Sequence, residues 1–350
     1  MLLLSRWHLS TRNPPPSLTV CAARGRETGS IPTPSESPLP SYLVTGGAGF
    51  IGSNIVETLV AEGADVRVID NFSTGRRENL SPWQSKIDIL EGDLTNPEDV
   101  QRAVDGVDVI LHQGALPSVP VSVERPVETN AANITGTLNL LEAARRAKVK
   151  RLVYAGSSSA YGAVEETLNV ESNCPSPLSP YAVQKLAGEH YCLAHWYCHG
   201  LPTVVLRYFN VFGPRQNPKS QYAAVIPAFI TRILAGERPI IYGDGKQTRD
   251  FTYVENNVRA NLVAATHRRA PGQVFNIACG HSTSLLELLA QINEICGTDI
   301  RPIFEPERAG DVKHSRADNT KARAVLGFVP AIGLREGLVR TIEHYRAAAR

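Results

Sequence analysis

Methionine occurs once in the 350 residues, at position 1, and the six cysteines (Cys21, Cys174, Cys192, Cys198, Cys279 and Cys296) include no C-x-x-C pair. The cysteine spacing excludes zinc ribbons and dithiol redox motifs. No apolar run approaches the roughly 20 residues of a membrane helix. Charge of one sign is also lacking: 36 Lys and Arg stand against 34 Asp and Glu, for a net charge of +2. Even that excess sits in the first forty residues, where Arg6, Arg12, Arg24 and Arg26 face Glu27 and Glu36. The remainder is formally neutral, which argues against nucleic acid or an anionic membrane as a partner. Cys192 and Cys198 fall in an apolar-aromatic segment, where small buried side chains are expected, and a reducing cytoplasm suits the whole set. His190, His195 and His199 form a helical series without matching carboxylates or cysteines beside them, so no metal is expected.

Residues 1–40 read as a disordered or non-native extension. They hold seven of the 24 prolines, show little periodicity, and end in Pro-Ser-Glu-Ser-Pro-Leu-Pro. Leu2-Leu3-Leu4 is too short for a secretory core. The acid-free start mimics a transit peptide, but a true start further downstream explains it better.

From residue 41 the chain alternates short β-branched runs with amphipathic segments, the pattern of an α/β fold with a parallel sheet covered by helices. Strands are predicted at Ser41–Thr45, Asp65–Asp70, Lys86–Glu91, Asp108–His112, Arg151–Gly156 and Thr203–Tyr208. Helices are predicted at Gly52–Glu62, Val127–Lys148 and Tyr181–Tyr197. Beyond Asn210 the alternation weakens. Ala223–Leu234, Ser284–Cys296 and Ile332–Ala349 look helical, while Pro239–Tyr242 and Arg301–Phe304 look extended. The expected organisation is a Rossmann-type nucleotide domain over 41–210, to which some later segments return, and a smaller α/β lobe over 211–350.

Two constellations carry chemistry. Gly46-x-x-Gly49-x-x-Gly52 follows a strand and opens a helix, the setting in which missing side chains let backbone N–H groups meet a pyrophosphate. Gly46, Gly49, Phe50, Ile51 and Gly52 are therefore expected to bind a dinucleotide. Asp70, about twenty residues on, can accept from a ribose 2′-hydroxyl and would repel a 2′-phosphate, so NAD is favoured over NADP. Asn71, Ser73 and Gly75 follow on the same rim, with Arg76 and Arg77 just beyond softening the exclusion of NADP.

The second constellation is Tyr181 with Lys185, one helical turn apart. A phenol titrates near ~10 in water. A neighbouring ammonium and a cationic nicotinamide favour its phenolate, equipping it to take a proton from a carbinol. Ser157, Ser158 and Ser159 follow the fifth strand's carboxyl end, where open α/β sheets bind ligands. One of their hydroxyls can bridge the phenol and a substrate oxygen. Counting back from Tyr161-Gly162 selects Ser157 as the catalytic hydroxyl; counting from the first serine selects Ser159. Ser157 is preferred.

These motifs, in this order, resemble the extended short-chain dehydrogenase/reductase family, and most closely its nucleotide-sugar 4-epimerases. The similarity includes Thr45-Gly-Gly-Ala-Gly-Phe-Ile-Gly52, Asp70-Asn71, Gly92-Asp93-Leu94, His112-Gln-Gly-Ala115, Asn133-Ile-Thr-Gly136, Arg207-Tyr-Phe-Asn-Val-Phe-Gly-Pro214, Arg249-Asp-Phe-x-Tyr-Val254 and Gly310-Asp311. The resemblance implies that Asp93 and Leu94 border an adenine, that Gln113, Ala115 and Asn133 line the cofactor pocket, and that Tyr208 lies on the nicotinamide side. It places Ser118, the three serines, Tyr181, Asn210, Tyr242, Arg249, Arg308, Asp311 and Ser315 on the substrate side. Tyr242 would stack on uracil, Arg249 and Arg308 would hold the diphosphate, and Asp311 a ribose. Guanidinium groups suit that task because they donate in pairs.

The implied activity is C4 inversion of a UDP-hexose by an enzyme with tightly held NAD. Related 4,6-dehydratases carry an acidic pair where this chain has Ser158 and Ser159, which argues against dehydration. Ser315 stands where a bulky tyrosine would limit the pocket to glucose and galactose. Its smallness points to UDP-GlcNAc and UDP-GalNAc, with UDP-Glc and UDP-Gal as further substrates. The stretches His112–Val123 and Tyr222–Ile226 point the same way. Alternatives are a UDP-glucose-only or UDP-glucuronate 4-epimerase, or a non-catalytic NAD sensor. Val127–Lys148 and Tyr181–Tyr197 resemble the helices that pair two subunits in this family, implying a homodimer.

Overall fold

The computed structural model describes residues 39–162, 168–218, 224–307, 313 and 315–348. The expected extension therefore lies almost wholly outside the described residues, as do Arg308 and Asp311.

Buried β-branched runs form the first strands, β1 (Tyr42–Thr45) and β2 (Val66–Asp70), separated by α1 (Phe50–Ala61). Then follow β3 (Asp88–Glu91), α2 (Pro97–Val104) and β4 (Val109–His112). Two short helices, α3 (Val119–Glu124) and α4 (Pro126–Asn130), lead through a π-helical turn at Ala131–Thr135 into α5 (Gly136–Arg146). Next come β5 (Arg151–Ser157), α6 (Pro180–His199) and β6 (Thr203–Tyr208). The later elements are β7 (Val211–Phe212), α7 (Val225–Leu234), β8 (Ile240–Tyr242), β9 (Thr248–Arg249), β10 (Thr252–Tyr253), α8 (Val254–Thr266), β11 (Gln273–Ile277), β12 (Thr283–Ser284), α9 (Leu285–Cys296), β13 (Ile303–Glu305), α10 (Thr320–Leu326) and α11 (Leu334–Ala348).

The central sheet has seven parallel strands in the order β11-β6-β5-β4-β1-β2-β3. This is a doubly wound Rossmann arrangement whose winding reverses between β1 and β4, the crevice where such sheets take ligands. Thr45 and His112 pair across that point. One face of the sheet carries α1 and α8 with the cluster around Val44, Ile55, Leu111, Val204 and Phe275. The other carries α2, α5 and α6 with Leu43, Ile110, Leu140, Leu152 and Cys192. A third cluster joins α7, α9 and α11 through Phe229, Ile230, Leu288, Ile292, Leu338 and Ile342, apart from the sheet.

All six predicted sheet strands form. Two differences have a physical cause. β11 returns the chain to the sheet beside β6; its polar Asn276 breaks the apolar run but is fully buried. The predicted helix over Val127–Lys148 is interrupted by the π turn at Ala131–Thr135, which contains the buried Asn133. Such turns often mark functional ground. Boundaries also move: β3 begins at Asp88, α1 at Phe50, α11 at Leu334, and β13 covers Ile303–Glu305. The five cysteines of the described residues are free, and Cys198 is exposed rather than buried.

Candidate active site

The glycine turn is shaped by close approach. Gly46 adopts φ +65°, and a Cβ there would lie 2.7 Å from the Gly114 backbone. A Cβ on Gly52 would strike the Gly46 carbonyl oxygen. Gly49 caps α1 without a side-chain capping hydrogen bond. The amides around Phe50, Ile51 and Gly52 thus stand at the helix's positive pole. This glycine cradle at the reversal of the sheet fits a dinucleotide's pyrophosphate.

Asp70 closes the rim. Its buried carboxylate accepts from Ala48 N at 2.9 Å and Phe72 N at 2.8 Å. Burial raises its pKa, against the pull of those two N–H groups. Gly75 packs so tightly here that a Cβ would sit 2.8 Å from an Asp70 oxygen. Asn71 donates to Asp93 at 2.8 Å and accepts from the Ser73 amide and hydroxyl. Leu94 leans against Gly114 and Gly136, where added Cβ atoms would meet it at under 3 Å, 2.8 and 2.9 Å respectively.

Several expected cofactor residues bind one another. Gln113 donates to Asn261 at 3.1 Å, and Asn261 donates to the Tyr208 hydroxyl at 2.6 Å. Burial raises the Tyr208 phenol to about 12. The Asn133 amide exchanges hydrogen bonds with both backbone groups of Leu116 and donates to Gln184 at 2.8 Å. Its polar atoms are thereby engaged in clamping the part-buried Ala115–Leu116 segment against α6. Ser118 caps α3 by accepting from Val121 N at 3.3 Å.

The expected catalytic residues lie on two packed elements, Ser157 at the end of β5 and Tyr181 and Lys185 on α6. Ser179 accepts from Ala182 N at 3.2 Å, Pro180 occupies the first turn, and Ser122 accepts from Tyr181 N at 3.0 Å. These contacts fix the start of α6 and aim Tyr181 at the end of β5. Burial raises the pKa of the Tyr181 phenol, and the Ser157 hydroxyl beside it pulls the other way. Ser157 Oγ accepts from Ser159 N at 3.2 Å and Ser159 Oγ at 2.8 Å. Ser158 lies between them on a 3₁₀ turn.

Lys185 lies beneath, donating to the Ala155 carbonyl at 2.9 Å with its ammonium 5.0 Å from the Tyr154 ring centre. Burial depresses its pKa to about 8. His112, bridging Thr45 Oγ1 at 2.7 Å and Thr137 Oγ1 at 3.0 Å, is pushed down to about 3 by burial and then by the Lys185 charge. It stays neutral at any ordinary pH.

Sequence reasoning passed over the support behind these groups. Glu189 on α6 takes Arg207 of β6 as a bidentate partner at 2.6 and 2.9 Å, both side chains 3% exposed. Arg207 lies 4.6 Å from the Tyr161 ring centre, and Tyr161 donates to Asn276 at 2.6 Å. The pair therefore ties α6, β6 and the serine turn together. Arg207 stands in the quoted motif, but its buried partner eighteen residues away left no local signal.

Four further residues expected on the substrate side, Asn210, Tyr242, Arg249 and Ser315, follow β6 in the chain. Asn210 adopts φ +32° and donates to the Asp250 carbonyl at 3.1 Å. Tyr242 ends β8, half-buried. Arg249 on β9 donates to the Thr248 and Lys313 carbonyls at 3.0 and 3.4 Å. Ser315 N donates to Thr248 O at 3.2 Å, so Ser315 and Arg249 share one strand edge. Beside them Asp250, pushed up to about 6 by burial, accepts from Cys279, Gly280 and Ala317 amides.

Known proteins agree with this geometry. Residues 42–278 match the model of the NAD dependent epimerase/dehydratase family. The UDP-glucose 4-epimerase of Mycolicibacterium smegmatis is 40% identical over 312 residues, spanning 87% of this chain and 98% of that protein. A UDP-N-acetylglucosamine 4-epimerase from Methanobrevibacter ruminantium, solved with UDP-N-acetylmuramic acid, superposes with a TM-score of 0.85 at 39% identity, covering 89% of this chain and 100% of that one. The UDP-glucose 4-epimerase of Thermus thermophilus, solved with NAD, gives 0.82 at 38% identity over 88% and 99% of the two chains. The glycine cradle, the Ser157–Tyr181–Lys185 group and these likenesses converge: the chain is an NAD-dependent enzyme and belongs to the NAD dependent epimerase/dehydratase family.

Proposed function

We propose that this enzyme inverts C4 of a UDP-hexose, acting on UDP-GlcNAc and UDP-GalNAc and also on UDP-Glc and UDP-Gal. The observation that carries this reading is the Lys185 ammonium, one turn beyond Tyr181 on α6, bound to the Ala155 carbonyl of β5 at 2.9 Å, two residues before Ser157 at the end of that strand. Residues of the glycine turn, with Asp70, would hold NAD, which when bound supplies the acceptor and donor for the C4 hydride. Tyr181 takes the 4-hydroxyl proton through or beside Ser157 and returns it after the sugar has turned. Ser158 and Ser159 face the sugar, and they carry no carboxyl group for removing water.

The part of the chain built on α7, α9 and α11 is the UDP-holding lobe in this reading, with Tyr242, Arg249, Arg308 and Asp311 as its ligands. Such a grip on UDP, remote from the hexose, leaves the sugar free to present either face. Ser315 supports acetylated substrates because a small side chain leaves room beside C2. The exposed apolar residues Val119, Val123, Val127, Val183, Tyr191 and Tyr197 on α3, α4 and α6 support a homodimer through these helices. Free cysteines and the lack, among the described residues, of any helix long and apolar enough to cross a membrane fit a cytoplasmic enzyme.

The test is purified protein, without added NAD, incubated with each of the four UDP-sugars and with UDP-glucuronate, followed by separation of products. Interconversion of the acetylated pair is expected. Turnover of UDP-glucuronate alone would overturn the substrate assignment. NAD released on denaturation from protein that inverts none of the five would mark a sensor and sink the epimerase reading.

A further inference from the structure

Glu142 on α5 and His195 and His199 on α6 bring one carboxylate and two imidazoles to the same spot. One ligand atom from each lies within 4.8 Å of the others. The two histidines are one helical turn apart, so both rings project from the same side of α6. Glu142, 53 residues earlier, is the carboxylate that the histidine series lacks in sequence.

The hydrogen bonds around His195 are those of a metal-ligating imidazole. Its Nδ1 lies 2.7 Å from the Tyr191 carbonyl oxygen, which can only accept, so Nδ1 carries the proton. In the neutral ring Nε2 is then a bare lone pair, and it faces Glu142 Oε1 at 3.1 Å. Two acceptors at that separation need a cation between them, either a second ring proton or a metal ion. The edge of a tetrahedral zinc site with nitrogen and oxygen ligands at ~2.0–2.1 Å is about 3.3 Å. A backbone carbonyl holding the far nitrogen is the usual outer support of a zinc-bound histidine.

Arg145 and His195 both contact the Glu142 carboxylate and fix its orientation. The guanidinium donates to Oε2 at 2.9 and 3.3 Å and to Oε1 at 3.3 Å, while Oε1 also faces His195 at 3.1 Å. That positive charge weakens any metal held here. His199 is exposed, with its ring centre 5.3 Å from that of His195, so it can swing onto a shared ion while water completes the coordination.

We propose that Glu142, His195 and His199 form a zinc-binding site that clasps α5 to the carboxyl-terminal end of α6. It lies more than two turns of helix beyond Lys185 and serves as a staple, not as part of the reacting group. Imidazole nitrogen with one carboxylate suits Zn²⁺ over Mg²⁺ or Ca²⁺, which prefer all-oxygen shells.

The experiment uses the full chain with its nucleotide retained, after treatment with a chelator. Zn²⁺ is titrated against a chromophoric chelator, and Co²⁺ serves as a spectroscopic probe. One zinc per chain is expected, with the intense visible bands of tetrahedral Co²⁺ and a melting temperature that rises on adding zinc. His199→Ala and Glu142→Gln should each weaken zinc binding by about tenfold or more, while His190→Ala, on the same helix outside the cluster, should not. His199 is exposed, so its variant should melt like the parent without metal, separating loss of a ligand from loss of fold. Absence of stoichiometric zinc binding, or affinity unchanged in both His199→Ala and Glu142→Gln, overturns the proposal.

Discussion

Lys185 on α6 donates to the carbonyl of Ala155 on β5 at 2.9 Å, one helical turn beyond Tyr181. The ammonium therefore acts on the phenol through space and not through a shared proton. Burial raises the phenol and depresses the lysine, so the protein's own groups leave Tyr181 neutral. A bound cation is what the site needs to make Tyr181 a base near neutral pH. Phenolate absorbance should consequently appear at lower pH in protein loaded with NAD⁺ than in protein stripped of it. Tyr181→Phe should remove that signal and slow inversion about a thousandfold, while still retaining NAD. Equal titration in loaded and stripped protein would refute the account.

Lys185 also makes a prediction about stability. Its folded pKa of about 8 is below the ~10.4 of an unfolded chain, so between those values the unfolded state binds more protons. Stability from this group is complete above about pH 10.4 and is lost as pH falls through about 8. In nucleotide-stripped protein, the parent should gain stability relative to Lys185→Met across that window, read as the difference in denaturant unfolding free energy. A difference that stays flat, or falls, would show that the ammonium is not paying a burial cost.

The Glu189–Arg207 pair should respond asymmetrically. Removing one partner leaves a charge uncompensated at 3% exposure, so Glu189→Gln or Arg207→Met should cost about 3–5 kcal/mol. Replacing both, as Glu189→Leu with Arg207→Met, should recover most of that. Thermal and denaturant unfolding of the three variants measures it. Recovery of stability without recovery of turnover would show that the pair also positions the serine turn.

Gly46 combines φ +65° with a Cβ site 2.7 Å from the Gly114 backbone. Gly46→Ala meets a left-handed penalty of about 1–2 kcal/mol and must also push β4's following loop away from the turn. NAD retention should fall sharply, measured by nucleotide released on denaturation. Gly63→Ala, which has the same sign of φ but open space around it, isolates the backbone penalty from the steric one.

The sheet was legible where chemistry repeats locally. β1, β2, β4, β5 and β6 are buried apolar runs, and Gly46–Gly52 announces its own turn. β11 was not legible, because Asn276 sits in it as a hub that accepts from Tyr161 and donates to Asn169 and Asp318. Only tertiary partners make that asparagine a core residue. Residue spacing found Tyr181 and Lys185, which are neighbours in sequence. It could not pair Glu189 with Arg207, or give His195 its carboxylate, because those partners meet only after the helices pack. Asn133 shows the same limit: neither the π turn that holds it nor the Leu116 and Gln184 partners of its amide could be read from the sequence around it.

Ser315 tests substrate choice without testing the fold. Its backbone N–H donates to Thr248 O of β9 at 3.2 Å, and its carbonyl accepts from the Ser282 hydroxyl just before β12 at 3.3 Å, so both main-chain groups are held. A larger side chain there inherits the same backbone path. Ser315→Tyr should therefore reduce kcat/KM for UDP-GlcNAc and UDP-GalNAc by about 10–200-fold, the scale on which a pocket rejects a few extra atoms. UDP-Glc and UDP-Gal, which lack the acetamido group, should change by less than about tenfold. A general fault in the lobe would instead depress both pairs together. Retained turnover of the acetylated pair in the tyrosine variant would show that residue 315 does not border the C2 substituent.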